Sequence, residues 1–477
     1  MKRFTFALTL ALGTALAAHA GGLMTNTNYH IAFDRMFARG ATTEIDGAYS
    51  NPAGLAFGHE GWQLSLNFQK PWQHRDIQAT VPGYLGAGFD KKYEGVASAP
   101  IVPALFASYK KDRLALSAMV GIVGSGGFVE YDEGIPMFEV PLRAMLLQKN
   151  DKLKPGTYSY TANMKGKQYI YGAQLNLAYR IDDNWAVAIG LRGNYYDGYN
   201  RGFVNACIGG ITDPSNSGIR TDKMDLIDLR LDCIQRSFGV APIVSVDYHN
   251  GPLTIAARYE FRTKISTEND TKELTIYQAG QESPTDVPFL IEKLGREQAL
   301  GGLAQAMGED MVGKMTAFLP DEEVRYDMPS LLVAAIGYEF TPQFRAALEY
   351  HFFDDTHARM YGGRQKTLEH GTHEILAGVE YDINDRFTVS CGGQRTDYGL
   401  SDGYQQNTSF ACDSYSVGLG GAWNISEKMR LNVSYFCSLY SDYEKGPQQN
   451  YQGTPYTGTE IYSRTNHVIG VGLDYKF

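Results

Sequence analysis

Three arginines occur on the polar face of stretches in which apolar and polar residues alternate. A charged side chain in such a stretch is costly unless it has a partner or a function. The three arginines are Arg192, Arg258 and Arg345. A guanidinium group binds a carboxylate through two parallel hydrogen bonds, so one or two of these arginines could hold the head group of an acidic ligand. The alternative is a ladder of charges, shared with glutamates such as Glu349 and Glu380, that stabilises a water-filled interior.

Cysteines and histidines are the other residue types with reactive or metal-binding side chains. Cys207 and Cys233 fall in one predicted loop, where oxidation could join them in a disulfide; the alternative is two free thiols. Four histidines cluster around another predicted loop, namely His351, His357, His370 and His373. A metal site needs ligands that converge with defined geometry, and loop histidines are mostly solvated. We therefore predict no metal and no cofactor.

The sequence has no H-E-x-x-H zinc-protease motif and no phosphate-binding P-loop. We also expect no nucleophile signature of the G-x-S-x-G kind. We predict that the protein is not an enzyme and has no catalytic residues. The chain carries 43 basic and 53 acidic residues, and this acidic balance argues against nucleic-acid binding.

The first twenty residues have the pattern of an export signal. Lys2 and Arg3 are followed by an apolar stretch and by Ala18-His19-Ala20, a small-x-small cleavage site. The apolar stretch is short for a retained membrane helix. We predict a signal peptide over residues 1–20, with cleavage before Gly21.

Fourteen later stretches alternate apolar and polar residues, beginning with Trp62–Gln69 and ending with Asn466–Phe477. Such alternation directs one face of a strand to an apolar environment and the other to a polar one. Twelve of the stretches pair into six hairpins through turns of two to five residues. An even number of strands with short turns at one end and long loops at the other is typical of a bacterial outer-membrane protein. The fold class is therefore all-β, a 14-stranded antiparallel transmembrane β-barrel over residues 62–477.

Aromatic residues recur beside the short turns, in the phase that would face lipid. They are Tyr179, Trp185, Tyr248, Phe340, Phe344, Tyr381, Phe387, Trp423 and Tyr475. Aromatic belts of this kind mark membrane interfaces, and a soluble β-protein core would not concentrate them at the turns.

Residues 21–61 precede the first strand and mix apolar residues such as Tyr29, Ile31 and Phe33 with turn residues. A solvent-exposed tail would not need so many apolar residues. We predict that the segment folds into the barrel lumen as a plug, or hatch.

The end of this segment resembles the hatch of the FadL/TodX family of outer-membrane transporters. The residues that carry the resemblance are Asn51-Pro52-Ala53-Gly54-Leu55-Ala56, preceded by the small-residue-rich stretch from Ala41 to Ser50. Pro103–Lys110 and the glycine-rich Val120–Gly127 are similar to the second and third strands of the family. We take Asn51, Pro52, Ala53 and Gly54 as the hatch motif.

The resemblance implies passive transport of long-chain fatty acids and other hydrophobic compounds. Capture would occur at an outer groove, a lumenal site would be gated by the hatch, and exit would be sideways at a kink in the third strand. The predicted kink residues are Gly121, Gly124, Gly126 and Gly127. Glycine weakens strand pairing and marks bulges, although the last three could instead begin a flexible loop.

The longest predicted loop, Thr263–Pro329, carries a helical stripe. Its apolar residues recur at three- and four-residue steps and include Leu300, Leu303, Met307, Met311, Met315 and Phe318. Methionines make an adaptable surface for alkyl chains, which favours a ligand groove. The alternative is that the stripe packs the loop onto the barrel rim.

We therefore expect an outer-membrane transporter of hydrophobic compounds. The alternatives are an open porin or a structural or adhesive barrel, and an outer-membrane lipase or protease, which the plug-like segment disfavours. Expected partners are a hydrophobic ligand, outer-membrane lipid and lipopolysaccharide, and the barrel assembly machinery through the C-terminal strand. We predict a monomer.

Overall fold

The computed structural model describes residues 23–98, 101–149, 159–208, 224–278, 281–307 and 309–477. The predicted signal peptide lies outside these residues. Among the described residues, no helix has the length and apolar character that crossing a membrane requires.

Fourteen antiparallel strands form one closed sheet. Four of them are interrupted and consist of two pieces. The bounds are β1 Gly61–Val81; β2 Phe89–Ser98 and Val102–Lys111; β3 Leu114–Tyr131; β4 Ser159–Arg180; β5 Trp185–Ile208; β6 Met224–Asn250; β7 Leu253–Glu260 and Ser266–Gln278; β8 Glu323–Arg325 and Leu331–Glu339; β9 Phe344–Phe353; β10 Thr372–Asp382; β11 Phe387–Asp397; β12 Ser414–Ser426; β13 Met429–Tyr440 and Tyr443–Gln448; and β14 Gly458–Lys476. The barrel closes where β1 pairs with β14, from Gln63↔Lys476 to Thr80↔Thr459.

The alternation of side chains is as predicted. On β5, Trp185, Ile189 and Leu191 are exposed on the outer surface, whereas Ala188 and Arg192 on the other face are buried. Other strands repeat this pattern, so the outer surface carries a continuous band of large apolar side chains. Such a band needs lipid around it.

The predicted aromatic belt is confirmed. Aromatic side chains beside the short turns are exposed on the outer surface, among them Tyr179, Trp185, Phe340, Tyr381, Phe387 and Trp423. Amphipathic rings in this position suit the boundary between lipid and water.

The predicted strands were too short on the extracellular side. β5 has 24 residues and β6 has 27, whereas about ten residues of tilted strand cross the apolar part of an outer membrane. Much of the predicted loops 123–168 and 197–236 therefore continues the sheet above the membrane. The apolar alternation stops where lipid stops, so it could not show these extensions.

Helices occur in the N-terminal segment and in two extracellular connections. They are α1 Ile31–Met36, α2 Pro136–Lys149, α3 Val287–Leu294, α4 Arg296–Met307 and α5 Glu309–Thr316. The helical stripe predicted in the longest loop is confirmed as helix, with three helices in that loop. Gly295 has a φ of +82°, a backbone conformation that glycine adopts most readily, and it ends α3.

The predicted disulfide between Cys207 and Cys233 is wrong, because both thiols are free. The two residues lie on neighbouring strands but at different heights. Cys233 is the register partner of Asn200, seven residues from Cys207 along β5. Seven residues of strand span about 23 Å, whereas a disulfide requires Cα atoms within about 7 Å.

Because no two of the five cysteines are joined in the structure, the unfolded chain should expose five thiols without reduction. Denaturing the purified protein in iodoacetamide should add five carbamidomethyl groups, measured by intact mass. Reduction before alkylation should give the same mass. A product with only three groups before reduction would contradict the structure.

Candidate functional site

The N-terminal segment, defined here as residues 23–60, lies inside the barrel. Its helix α1 packs against the inward faces of several strands between β10 and β14. Three glycines make room for it by standing side by side in the sheet, as the register Gly378↔Gly392↔Gly418 shows. A Cβ atom at Gly378 or Gly392 would lie 2.0 Å from the carbonyl oxygen of Met36, so no larger residue fits there. The barrel wall is thus shaped to receive this helix.

The motif residues of the N-terminal segment bond to β6. The Asn51 side-chain amide donates to Asp247 Oδ2 at 2.5 Å and to the Thr42 carbonyl oxygen at 3.0 Å. The backbone N–H of Ala53 donates to Ser245 Oγ at 3.0 Å. Pro52 and Gly54 complete the tight turn, in which Gly54 N–H donates to Asn51 Oδ1 at 3.2 Å. The motif therefore fastens the end of the segment to one strand.

A second attachment is a network of charges inside the segment. Arg39 donates from Nε to Asp46 Oδ2 at 2.6 Å and from Nη2 to Asp46 Oδ1 at 2.9 Å. Arg39 also bonds Glu44, which accepts from Arg430 on β13 at 2.7 Å. Burial alone would raise the pKa of Glu44, but Arg430 and Arg39 outweigh it and hold that pKa well below its usual range. This network links the segment to the wall.

Arg345 belongs to the same charged region. Its guanidinium donates to Glu380 and, at 2.7 Å, to Asp382 Oδ2, while Glu380 also accepts from Arg35 of α1. The guanidinium group of Arg345 is therefore already paired with two carboxylates.

Asp34 of α1 has a different environment. It is fully buried, and neither carboxylate oxygen has a hydrogen-bond partner among the described residues. Burial raises the pKa of Asp34 well above its usual range. A buried unpaired carboxylate is costly, so docking of the segment is opposed at this residue.

Arg192 on β5 and Arg258 on β7 meet in the lumen. Arg192 donates a hydrogen bond to Glu260, and Arg258 forms an ion pair with the same carboxylate at 3.2 Å. Arg258 also donates to the backbone carbonyl oxygen of Tyr49. The Arg258 guanidinium lies 4.3 Å from the centre of the Tyr49 ring. Two guanidinium groups thus share one carboxylate, against the N-terminal segment.

The predicted kink glycines lie on β3 at an interruption of the wall. Among the described residues, pairing between β2 and β3 stops at Leu105↔Val120 and resumes at Val96↔Glu130. Between these points β3 carries two register shifts against β4, at Ile122/Gly124 and Ser125/Gly127. The N-terminal segment covers the interruption from inside, because the Asn26 backbone N–H donates to the Val123 carbonyl oxygen at 3.0 Å.

The four glycines have different local requirements. A Cβ atom at Gly124 would lie 2.2 Å from the Met24 carbonyl oxygen, and Gly127 has a φ of +76°, so both positions favour glycine. At Gly121 a Cβ atom would make ordinary contacts. Gly126 lies within the second register shift, between Ser125 and Gly127.

A narrow apolar pocket with a cavity volume of about 60 Å³ opens on the extracellular extension of the sheet. Its walls come from α2, α5 and the extended parts of β4 to β7. The apolar lining includes Phe138, Met164, Val204, Leu229, Leu231, Leu274, Ile276, Met315 and Phe318. The strand residues among these were not selected from the sequence, although Leu229 and Leu231, and Leu274 and Ile276, stand at the two-residue spacing of one strand face.

The predicted methionine stripe divides between the pocket and the interior of the helical insertion. Met315 and Phe318 line the pocket, whereas Leu303 is buried and Leu300 partly buried against Leu274 and its neighbours. Met307 and Met311 belong to α4 and α5, and their side chains lie outside the described residues.

The histidines do not converge. His351 bonds Glu349 at 2.5 Å and Glu374 at 2.9 Å inside the barrel, while His370 and His373 lie near the rim. Within the described part of the chain, no group of three or more potential ligands could hold a metal ion.

Contrary to expectation, one stretch of the sequence matches a serine-hydrolase motif. Gly399-Leu400-Ser401-Asp402-Gly403 fits the G-x-S-x-G pattern of serine hydrolases. In those enzymes the serine stands on a sharp turn between a strand and a helix. Here Ser401 lies in an irregular loop after β11, and its hydroxyl donates to the Thr367 carbonyl oxygen.

Two lumenal arginines were also missed. Arg75 and Arg464 stand opposite each other on β1 and β14, above the parts of these strands that the alternation revealed.

Comparison with known proteins shows similarity of structure only. No family profile matches the sequence, and no curated protein matches it significantly. The crystal structure of a Pseudomonas aeruginosa FadL homologue superposes with a TM-score of 0.66 and 13% identity, covering 96% of this chain and all of the other. The chain has the FadL-type barrel fold.

A second FadL-type barrel supports the same assignment. The P. putida toluene transporter TodX superposes with a TM-score of 0.57 and 12% identity over 97% of this chain and 99% of its own. At this identity the likeness defines the fold and leaves the ligand open. The fold and the apolar outer band place the protein in the bacterial outer membrane.

Asp34 and Asp46 offer a matched test of how firmly the N-terminal segment docks. Asp34→Asn removes a buried charge, so trypsin should cleave after Arg35 and Arg39 more slowly than in the wild type. Asp46→Asn breaks a buried bidentate pair worth about 3 kcal/mol, so cleavage should be faster. Cleavage rates are measured by mass spectrometry on the purified barrel.

The pH dependence of this cleavage has a defined sign. The folded segment holds the Asp34 proton more tightly than the unfolded chain, so docking weakens as pH rises above the unfolded pKa of about 4. The Asp34→Asn variant should lack this component. Equal cleavage of both variants at all pH values would contradict these roles.

Proposed function

We propose that this FadL-type barrel is a passive outer-membrane transporter of hydrophobic compounds, including amphipathic acids with alkyl chains, and that it catalyses no reaction. The observation that carries the proposal is the interrupted pairing between β2 and β3. It lies in a closed wall and is covered from inside by the N-terminal segment.

An interruption in the wall is costly in lipid, where unpaired backbone groups find no water. Here the N-terminal segment satisfies them in part. Asn26 donates from its side-chain amide to the carbonyl oxygen of Ile122 at 3.3 Å and from its backbone N–H to that of Val123 at 3.0 Å. Movement of the segment would therefore open the wall sideways, which supports a lateral exit into the outer leaflet.

The apolar pocket is the proposed capture site. A hydrophobic molecule at the cell surface would exchange water for side chains such as Leu231, Ile276 and Phe318. Burial of each methylene group contributes about 0.8 kcal/mol, so an alkyl chain gains several kcal/mol without any polar contact.

The N-terminal segment is the proposed hatch. Its paired charges at Arg39 and Asp46 hold it, and the unpaired carboxylate of Asp34 opposes docking. This balance supports a plug that shifts without leaving the barrel.

Of the three arginines predicted to bind a head group, Arg192 and Arg258 remain candidates. They share a single carboxylate, Glu260, and would have capacity for a ligand when Tyr49 moves. Arg345 already has two carboxylate partners, Glu380 and Asp382, and we do not assign it to the ligand.

Capture at the pocket can be tested with Leu231→Gln combined with Phe318→Gln. Two polar amides in an apolar wall should weaken binding of radiolabelled dodecanoate to the purified protein by roughly tenfold or more. Uptake by cells that express the variant should fall in parallel.

The control is Phe289→Gln, which removes an exposed aromatic residue of α3 outside the pocket. It should bind and transport as the wild type does. Wild-type affinity in the Leu231 and Phe318 double variant would show that the pocket is not the capture site.

The lateral exit can be tested by closing it with a disulfide. A Cβ atom at Gly121 would lie 3.5 Å from the Cβ of Ala104, within the range for a disulfide. In Ala104→Cys combined with Gly121→Cys, oxidation should join β2 to β3 at the interruption. Uptake of dodecanoate should then fall at least tenfold, and reduction should restore it.

A matched crosslink elsewhere serves as the control. Ser416 and Ser438 are register partners on β12 and β13, with Oγ atoms 2.8 Å apart. Cysteines at these two positions should join without affecting uptake. Full uptake with the β2–β3 crosslink formed would rule out exit at this place.

A further inference from the structure

A group of basic and aromatic side chains lies on the outer surface of the barrel, where the apolar band ends on the extracellular side. On β1 the outward-facing side chains are apolar from Trp62 to Phe68. The next ones that face outward are Lys70, Trp72 and His74, and all three are exposed. On the neighbouring strand β14, His467 is exposed directly beyond the apolar run. We call Lys70, His74 and His467 the basic patch.

The basic patch lies about one membrane thickness above the periplasmic ends of its strands. Lys70 is eight residues beyond Trp62 on β1, and His467 is eight residues from Tyr475 of the periplasmic aromatic belt on β14. About ten residues of tilted strand cross the apolar part of an outer membrane. The three basic side chains therefore stand at the boundary between the hydrocarbon and the head groups of the outer leaflet.

The members of the patch are neighbours on two paired strands. His467 is the register partner of Trp72, which lies between Lys70 and His74 on the outward face of β1. The Lys70 ammonium group lies 5.7 Å from the centre of the Trp72 ring. Diagonal neighbours on two antiparallel strands are about 7–8 Å apart. One head group that lies over Trp72 can therefore reach all three basic side chains.

A hydrogen bond orients the imidazole ring of His467. The hydroxyl of Tyr435 on β13 lies 2.9 Å from His467 Nδ1. When this hydroxyl donates to Nδ1, Nε2 carries the ring proton and can donate to an acceptor outside the protein. Protonation of the ring adds a positive charge and leaves Nε2 a donor. His467 can thus bind an anion in either state.

The positive charge of the basic patch is not neutralised by the protein. Among the described residues, none of its three members forms an ion pair with a carboxylate. The acid of the same strand, Asp76, pairs with Lys92 of β2 at 2.9 Å. Outward-facing cations on other extracellular extensions have acidic partners, since Lys167 and Arg236 both pair with Asp197. The basic patch therefore differs from them in suiting an anion from outside the chain.

We propose that the basic patch, together with Trp72 and Tyr435, binds a phosphate group of the glycolipid of the outer leaflet, the lipid A part of lipopolysaccharide. Lysine and histidine donate charge-assisted hydrogen bonds to phosphate oxygens. A phosphate monoester carries a charge of about −1.5 to −2 at neutral pH, more than the diester of a phospholipid. A head group at the height of the patch belongs to the outer leaflet, where this glycolipid lies.

The bound glycolipid lies beside the interrupted wall. His74 is the register partner of Val96 on β2, and Val96 is where the pairing of β2 with β3 resumes above the interruption. The patch is thus one strand away from the place where β2 and β3 separate. The proposal concerns the surrounding lipid and does not depend on the transport function.

The test compares two forms of lipid A that differ only in their phosphates. The full-length barrel in a neutral detergent is titrated with bisphosphorylated lipid A and with the same lipid after removal of both phosphates, and binding is measured by native mass spectrometry. The wild type should bind the bisphosphorylated form at least tenfold more tightly. Lys70→Gln combined with His74→Gln and His467→Gln should lower that affinity roughly tenfold or more, because charge-assisted hydrogen bonds are lost. Its affinity for the dephosphorylated form should stay within twofold of the wild type.

A matched control removes three exposed cations from the short periplasmic turns. It combines Arg113→Gln, Arg386→Gln and Lys428→Gln, and it should bind both forms as the wild type does. A second measurement needs no variant. Because the basic patch is exposed, raising the salt concentration from about 0.05 M to about 0.5 M should remove most of the wild-type preference for the bisphosphorylated form.

Equal affinity of the wild type for the two forms of lipid A overturns the proposal. A preference that persists in the patch variant, that is lost in the periplasmic control, or that does not respond to salt overturns it as well. Phosphatidylglycerol serves as a third probe. Weaker binding of this phospholipid than of bisphosphorylated lipid A supports the assignment, whereas equal binding would show a site for any phosphate-bearing lipid and overturn the assignment to the glycolipid.

Discussion

A sheet in lipid must pair its backbone groups within the protein, because the hydrocarbon offers no other hydrogen-bond partner. Pairing of β1 with β14 closes the barrel and meets this constraint. Between β2 and β3, the described residues include a stretch in which the two strands do not pair. This interruption persists because the N-terminal segment supplies donors to Ile122 and Val123 from inside. The proposed exit and the proposed hatch therefore share one hydrogen-bonding arrangement, and displacement of the segment would weaken the wall at the interruption.

The N-terminal segment is held by opposing contributions. Asn51 and the Arg39–Asp46 pair are hydrogen-bonded, and a row of glycines receives α1. Asp34 is buried and has no hydrogen-bond partner among the residues that the structure describes. If every polar group were satisfied, the segment would be a permanent part of the core. A single uncompensated carboxylate reduces the free energy of docking locally and leaves the attachment of Asn51 to β6 intact. This distribution favours a shift about a fixed end over complete release.

Alternation and turn-side aromatics were sufficient to predict fourteen strands, the lipid-facing phase and the direction of the hairpins. The extracellular extensions were missed because lipid imposes the apolar alternation only within the membrane. For this reason the pocket residues Leu229 and Leu231 were assigned to a loop. The same error led to the predicted disulfide between Cys207 and Cys233, which were placed in one loop but stand at different heights on two strands. The predicted arginines were correctly placed in the lumen. Arg258 and Glu260 stand two residues apart on one face of β7, which the alternation does show. The pairs Arg192–Glu260 and Arg345–Glu380 join different strands, and spacing along the sequence does not encode the relative heights of those strands.

The interior changes in character along the proposed path, and each part limits what can pass. The outer pocket is nearly devoid of polar groups, so it selects for apolar surface and not for a particular shape. Below the pocket, a buried cluster near the mouth is rich in tyrosine, with Tyr84, Tyr93 and Tyr131 among its members. A hydrophobic molecule that reached the interrupted wall would lie beside lipid, and burial of its apolar surface in lipid lowers its free energy further.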